Sequence, residues 1–281
     1  MPQRILIIGA SGQVGREMLS SISESMEILP TYNETALNGG TRLDVLQELN
    51  VIDLVLKFKP NIIINLSALT NVDRCEVDKD LAYKINAMSV KFITRAAMVN
   101  NSYLVHVSTD YVFDGEKGMY KEDDFPNPIN YYGLTKLIGE TFALSYDLSL
   151  VVRTSGVFGG KSNFPKFVMD NLKKGNTVKV IKDSFYSPIS AKFLAKAILD
   201  ILPMRITGII NIAGERISRE DLAKRIGSRL GKEGLIDIVN ENEMKWKAKR
   251  PRDSSLDISK AKKLISFNFY DIDKNLDTLG D

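Results

Sequence analysis

The sequence predicts a doubly wound α/β fold, in which a parallel sheet is covered by helices on both faces and a smaller C-terminal lobe follows. Three observations predict it. Strongly apolar, β-branched runs recur through residues 1–160, segments with helical apolar spacing separate them, and the first run leads straight into a glycine-rich turn.

The runs are "RILIIG" (4–9), "MEILPTY" (26–32), "NIIINLS" (61–67), "YLVHVST" (103–109) and "LSLVVRTS" (148–155). Apolar on both alternations, they read as strands buried on two faces. Residues 45–58 and 81–99 carry helical spacing between them. Beyond "VFGGKSN" the pattern loosens. A helix is expected over 164–174, a strand near Val178–Ile181, a helix over 190–202, a buried strand in "GIINIAG" (208–214) and a helix over 218–230. With no internal repeat or low-complexity linker, 161–281 reads as a lobe packed on the domain of residues 1–160, with segments near 190–213 returning to that domain.

The totals narrow the function. In 281 residues, 38 basic and 35 acidic side chains leave a net charge of +3, too mild for nucleic acid and compatible with an anionic small substrate. One cysteine excludes an internal disulfide framework, and one histidine argues against a Cys/His metal site. The N-terminus reads as neither a signal peptide nor a membrane span, and no run of about 18 apolar residues follows. The expectation is a cytoplasmic protein with no membrane partner.

The first strand runs into Gly9-Ala10-Ser11-Gly12-Gln13-Val14-Gly15 and then a helix with apolar residues at Val14, Met18, Leu19 and Ile22. Glycines allow a tight turn and close approach of a ligand, and the helix N-terminus presents free N–H groups to a pyrophosphate. The spacing is G-x-x-G-x-x-G rather than the usual G-x-G-x-x-G, so the motif carries weight only through its place between strand and helix. The second strand ends in Tyr32-Asn33-Glu34, without the aspartate that selects NAD. Arg16 either meets a 2′-phosphate, which tilts the cofactor toward NADPH over NADH, or is a solvated surface residue. Asp44 is either the N-cap of the next helix or a contact to the adenine edge.

"YLVHVST" ends in Ser108-Thr109, at the carboxyl end of a strand, where doubly wound sheets bind ligands. Downstream, "YYGLTK" places Tyr132 and Lys136 at i and i+4 on one helix face. A hydroxyl, a phenol and an ammonium in that order suit hydride transfer to a carbonyl. Thr109 orients the carbonyl, Tyr132 donates the proton, and Lys136 is expected to pull down the phenol's pKa.

At these residues the chain resembles the extended short-chain dehydrogenases/reductases, and within them the dTDP-4-dehydrorhamnose reductase family. The resemblance spans nearly the whole chain. It is carried by "GASGQVG" (9–15), "ALTNVDRCE" (68–76), "VSTDYVFDG" (107–115), "NPINYYGLTKLIGE" (127–140), "VVRTSGVFG" (151–159), "DSFYSPISA" (183–191) and "RPRDSSLD" (250–257). It implies a Rossmann domain with a smaller C-terminal substrate-binding lobe. The implied reaction is NAD(P)H-dependent reduction of the 4-keto group of dTDP-4-dehydro-L-rhamnose. By motif position Thr109, Tyr132 and Lys136 take the catalytic roles. Gly9, Ser11, Gly12, Gln13, Val14, Gly15, Asp44, Val45, Ser67, Ala68, Tyr132 and Lys136 become cofactor contacts. Thr70, Asp110, Tyr111, Phe113 and Arg250 face a nucleotide-sugar substrate.

The departures bear on the exact sugar. Many members carry a tryptophan after "RTS"; this chain has Gly156, which removes a large flat contact from the sugar pocket. Ser184 and Ile189 differ as well. Members that bind a divalent cation at a dimer contact use glutamates, of which Glu17 matches one and no other can be placed, so magnesium stays unassigned and a homodimer stays open. Cys75, His106 and Asn86 read as structural: a thiol beside "VDRCE", a core histidine within a strand, and an amide bonding backbone inside a helix. The basic run Lys245–Lys263 is a solvated face, or brings Arg250 to a sugar diphosphate. Two alternatives stay open: a non-catalytic regulatory subunit resembling the methionine adenosyltransferase β subunit, and a reductase or epimerase of another nucleotide sugar.

Overall fold

The computed structural model describes residues 3–22, 26–160 and 163–280. The strands are β1 Arg4–Ile8, β2 Glu27–Tyr32, β3 Thr41–Arg42, β4 Ile62–Asn65, β5 Tyr103–Thr109, β6 Ser149–Thr154, β7 Val178–Ile181, β8 Phe185–Tyr186, β9 Gly208–Asn211, β10 Ile217–Ser218 and β11 Ile236–Val239. Seven of them form one sheet in the order β3-β2-β1-β4-β5-β6-β9, every pairing parallel. This is the doubly wound Rossmann arrangement. The chain runs outward from β1 in both directions, so a crevice opens at the carboxyl ends of β1 and β4.

The strand runs are apolar throughout because alternate residues enter two separate cores. Ile5 and Ile7 pack with Met18, Ile62, Ile64, Val105, Val152, Leu194 and Ile198 on one face. Leu6 and Ile8 pack with Val51, Val55, Ile63, Val90, Ile93 and Val151 on the other. Each fully buried isoleucine or leucine contributes about 2 kcal/mol of apolar burial. A third core joins Phe158, Val168, Leu172, Val178, Val180, Tyr186, Leu222 and Ile226. It is built on the helices Phe164–Lys173 and Arg219–Arg229 and on the pairing of β7 with β11. The helix Ala191–Ile201 returns to the sheet, with Leu194 and Ile198 in the first core, and β9 then pairs with β6.

Two local expectations change. The helix after β3 begins at Glu48 with Gln47 as its N-cap, so Asp44 does not cap it. Its Oδ1 accepts from the Leu46 N–H at 3.0 Å, an Asx turn just ahead of the helix. The helix expected over 81–99 arrives as Lys79–Tyr83, a single π turn Lys84–Met88 and Ser89–Asn100. Asn86 lies in that widened turn, where its amide serves the Leu69 N–H, the Leu69 carbonyl and Thr135 Oγ1. These bonds clamp the loop after β4 to the helix Tyr131–Leu144.

That helix is started by Asn130, whose Oδ1 accepts from the Gly133 N–H at 2.9 Å. Its glycines let it sit close to the sheet: a Cβ at Gly133 would collide with the Tyr111 carbonyl oxygen. The approach brings Tyr132 and Lys136, both buried, to the end of β5.

Candidate active site

The crevice is a cavity of about 450 Å³. Its lining includes Gly9, Gly12, Gln13, Val14 and Gly15 from the glycine turn and Ala68 and Thr70 from the loop after β4. Ser108, Thr109, Asp110 and Tyr111 enter from the end of β5, and Tyr132 and Lys136 from the helix. The turn fits a dinucleotide phosphate. Gly9 holds φ at +79°, and a Cβ there would press on the Ser67 backbone at 3.0 Å. Gly12 then caps the helix Gln13–Ser21, whose free N–H groups open on the cavity wall. Gln13 ties this turn to the far wall through its bonds to the Val157 carbonyl and the Gly160 N–H.

Tyr132 and Lys136 share the cavity, and burial shifts the ionisation of both. Burial pushes the Tyr132 phenol well above its ordinary pKa, with a hydrogen bond to the Thr109 hydroxyl opposing the shift. The ammonium of Lys136 is directed to the sheet instead, donating to the Val107 carbonyl at 2.7 Å. Lowering of the phenol's pKa by Lys136 is therefore not what this geometry produces. Burial lowers the lysine itself to about 8, with Glu140 opposing. Tyr132 is thus a phenol at neutral pH, the form that donates a proton.

Thr109 is held in place on both sides. Its Oγ1 donates to Asp110 Oδ1 at 3.0 Å and accepts from the Tyr111 N–H at 3.2 Å. The other carboxylate oxygen of Asp110 accepts from Ser155 Oγ at 2.7 Å and Ser254 Oγ at 2.6 Å. One buried carboxylate thereby joins the ends of β5 and β6 to the 250–257 segment.

The chain matches the family described as RmlD substrate binding domain over residues 3–279. The chain belongs to that family. It is 33% identical to the dTDP-4-dehydrorhamnose reductase of Aggregatibacter actinomycetemcomitans, over 92% of this chain and 91% of that one. The corresponding enzyme of Salmonella typhimurium is 32% identical, over 91% and 90%. Among solved structures, a hypothetical dTDP-4-dehydrorhamnose reductase from Sulfolobus tokodaii is 52% identical with a TM-score of 0.93, covering 98% and 99% of the two chains. The Bacillus anthracis dTDP-4-dehydrorhamnose reductase in complex with NADP is 28% identical with a TM-score of 0.91, covering 100% and 99%.

Several residues assigned from sequence stand apart from the main cavity of this RmlD-family chain. Phe113 is fully buried, stacked on Tyr120 at 4.2 Å and overlain by the Arg153 guanidinium, so its place is in the core rather than on the substrate. Ser11, Asp44, Val45 and Ser67 lie outside the cavity lining; the Ser11 carbonyl accepts from Arg16 Nε at 3.0 Å, and Ser67 bonds Asn65. Arg250 lines the adjoining cavity but is paired with Asp73 at 3.2 Å. Cys75 is buried with its thiol pushed up to about 11, donating to the Leu69 carbonyl. Among the described residues no three His, Cys, Asp or Glu gather as a metal-binding group. Among them, too, no helix is long and apolar enough to cross a membrane.

Among the residues of the cavity wall that sequence reasoning missed are three with polar side chains, Thr154, Tyr186 and Arg219. Thr154 ends β6, and the carboxyl-end rule applied to that strand finds it. Tyr186 and Arg219 carry no local signal. The ring of Tyr186 fills the space beside Gly156, within 2.5 Å of where a Cβ would stand. The flat surface absent at position 156 is therefore replaced by a ring from β8. Arg219 lies over Tyr186 at 4.5 Å and Phe164 at 4.9 Å, and no carboxylate pairs with it among the described residues. Ser108 Oγ, Thr154 Oγ1 and the Tyr186 hydroxyl are buried without a hydrogen-bond partner among the described residues.

Proposed function

We propose that this chain is an NAD(P)H-dependent dTDP-4-dehydrorhamnose reductase of the cytoplasm, reducing the 4-keto group of dTDP-4-dehydro-L-rhamnose. One observation carries the reading: a glycine turn suited to pyrophosphate and the Thr109–Tyr132–Lys136 set line a single cavity. The names of the full-length relatives support it. Arg219, with which no carboxylate pairs among the described residues, and the three unpartnered hydroxyls suit a ligand with a diphosphate and several sugar hydroxyls. We further assign the dinucleotide mainly to residues 1–160 and the sugar nucleotide mainly to residues 161–281.

Gly9, Gly12, Gly15 and the N-terminus of Gln13–Ser21 would hold the dinucleotide, which when bound supplies the hydride. Thr109, fixed by Asp110, positions the carbonyl oxygen. Tyr132, kept protonated by burial, delivers the proton to that oxygen as negative charge grows on it. Lys136 brings its side-chain amine to the same cavity. Consumption of NADPH with dTDP-4-dehydrorhamnose tests the reading; a wild-type chain that binds NADPH and turns over no keto sugar would instead fit a regulatory subunit. Parallel titration with NADH and NADPH tests the cofactor preference, and sedimentation decides whether the chain is a homodimer.

A further inference from the structure

The sole histidine of the chain, His106, lies fully buried on β5 between two polar groups. Asn65 Nδ2 is 3.1 Å from its Nδ1, and Lys136 Nζ is 3.5 Å from its Nε2. The protonation of this ring can be deduced from a group that has no choice of role. The backbone N–H of Ser67 only donates, and it meets Asn65 Oδ1 at 3.1 Å. Ser67 Oγ adds a second bond to the same oxygen at 2.6 Å. The Asn65 amide is thereby fixed with Oδ1 toward Ser67 and its NH₂ toward His106. Facing a donor, Nδ1 must offer a lone pair, so the ring is not doubly protonated. A neutral ring with a bare Nδ1 carries its hydrogen on Nε2.

We propose that His106 is a positioning residue for Lys136, locked by Ser67 and Asn65 as the Nε2–H tautomer and presenting an N–H, not a lone pair, to the amine. A fixed donor next to Nζ disfavours the ammonium and suits an amine that accepts from His106 while donating to the Val107 carbonyl. The other groups around Nζ are accounted for. Glu140, on the same helix, favours the charge, but its carboxylate is engaged by Arg153 at 2.8 Å. Burial and Lys136 together hold the imidazole well below its ordinary pKa, in agreement with a ring that stays neutral. The inference concerns the chain without substrate and holds whichever sugar is reduced.

Two-bond ¹H–¹⁵N correlation on the ¹⁵N-labelled protein reads the ring directly, because a single histidine gives a single pattern. The expected result is a pyrrole-type Nε2 and a pyridine-type Nδ1, unchanged from about pH 5 to 8. An Nδ1–H tautomer, or an imidazolium within that range, overturns the proposal. Asn65→Asp supplies a second arm. A carboxylate only accepts, so Nδ1 must take the hydrogen and Nε2 turns its lone pair to Lys136. With ¹³Cε-labelled lysine, the resonance absent from Lys136→Met identifies the side chain. Its titration midpoint should rise by about one pH unit in Asn65→Asp. A merely structural Asn65 would change thermal stability and leave tautomer and midpoint unmoved, which also overturns the proposal. If Asn65→Asp does not fold, the wild-type spectrum decides alone.

Discussion

The guanidinium of Arg219 lies 4.5 Å from the ring centroid of Tyr186, whose hydroxyl is buried with no partner among the described residues. A cation and an unsatisfied hydroxyl thus share one wall of the cleft, on a lobe where sequence reading had assigned a substrate contact to Arg250 and not to either of these residues.

For Tyr186→Phe, stability and binding should move in opposite directions. The substitution removes an unsatisfied buried hydroxyl and keeps the ring, so the unliganded chain should gain about 1 kcal/mol in urea unfolding. The KM for the keto sugar nucleotide should rise about tenfold if that hydroxyl meets the sugar. An unchanged KM removes Tyr186 from the substrate site.

Arg219→Ala should raise the KM for the nucleotide sugar by about 10- to 100-fold with little change in NADPH affinity. Arg219→Lys should recover only part of the loss, since an ammonium cannot reproduce a stacked, bidentate contact. Equal loss of NADPH binding would place Arg219 on the cofactor instead.

Tyr132→Phe should lower kcat by about 10²- to 10⁴-fold while NADPH binding, followed by fluorescence, stays near wild type. Full activity in this variant removes the phenol from proton transfer.

The lowered pKa of Lys136 makes stability depend on pH with a definite sign. Burial brings the folded-state value to about 8 from 10.5, so between those limits the unfolded chain binds more protons. Wild-type stability should therefore rise as pH goes from about 8 to 10.5, relative to Lys136→Met, by up to roughly 3 kcal/mol. Paired melting curves across that range check it; a difference independent of pH leaves the lysine unperturbed.

Glu140→Ala leaves Arg153, only 2% exposed, without its carboxylate. Removing one partner of such a pair should cost about 3–5 kcal/mol, visible as a large drop in Tm, whereas replacing both by apolar residues should cost less.

Much of the fold was legible because its signals are local. Two-faced apolar runs identified β1, β2, β4, β5, β6 and β9 within a residue or a few at each end. The glycine turn and the Tyr132–Lys136 spacing pointed to the same crevice. The Asx turn of Asp44 and the π turn inside the helical stretch 79–100 were not legible, because a single side chain outside the periodic pattern decides each: the Asp44 carboxylate in one case, the Asn86 amide in the other.

The sequence by itself determined the sheet, the glycine turn after β1 and the meeting of Thr109, Tyr132 and Lys136 at one crevice, because periodicity, glycine geometry and i,i+4 spacing act over a few residues. Only the tertiary structure decided where the Lys136 ammonium points, why Tyr132 is harder rather than easier to ionise, and that Tyr186 and Arg219 reach the cleft. Desolvation and contacts between distant segments arise from packing, and no short stretch of chain records them.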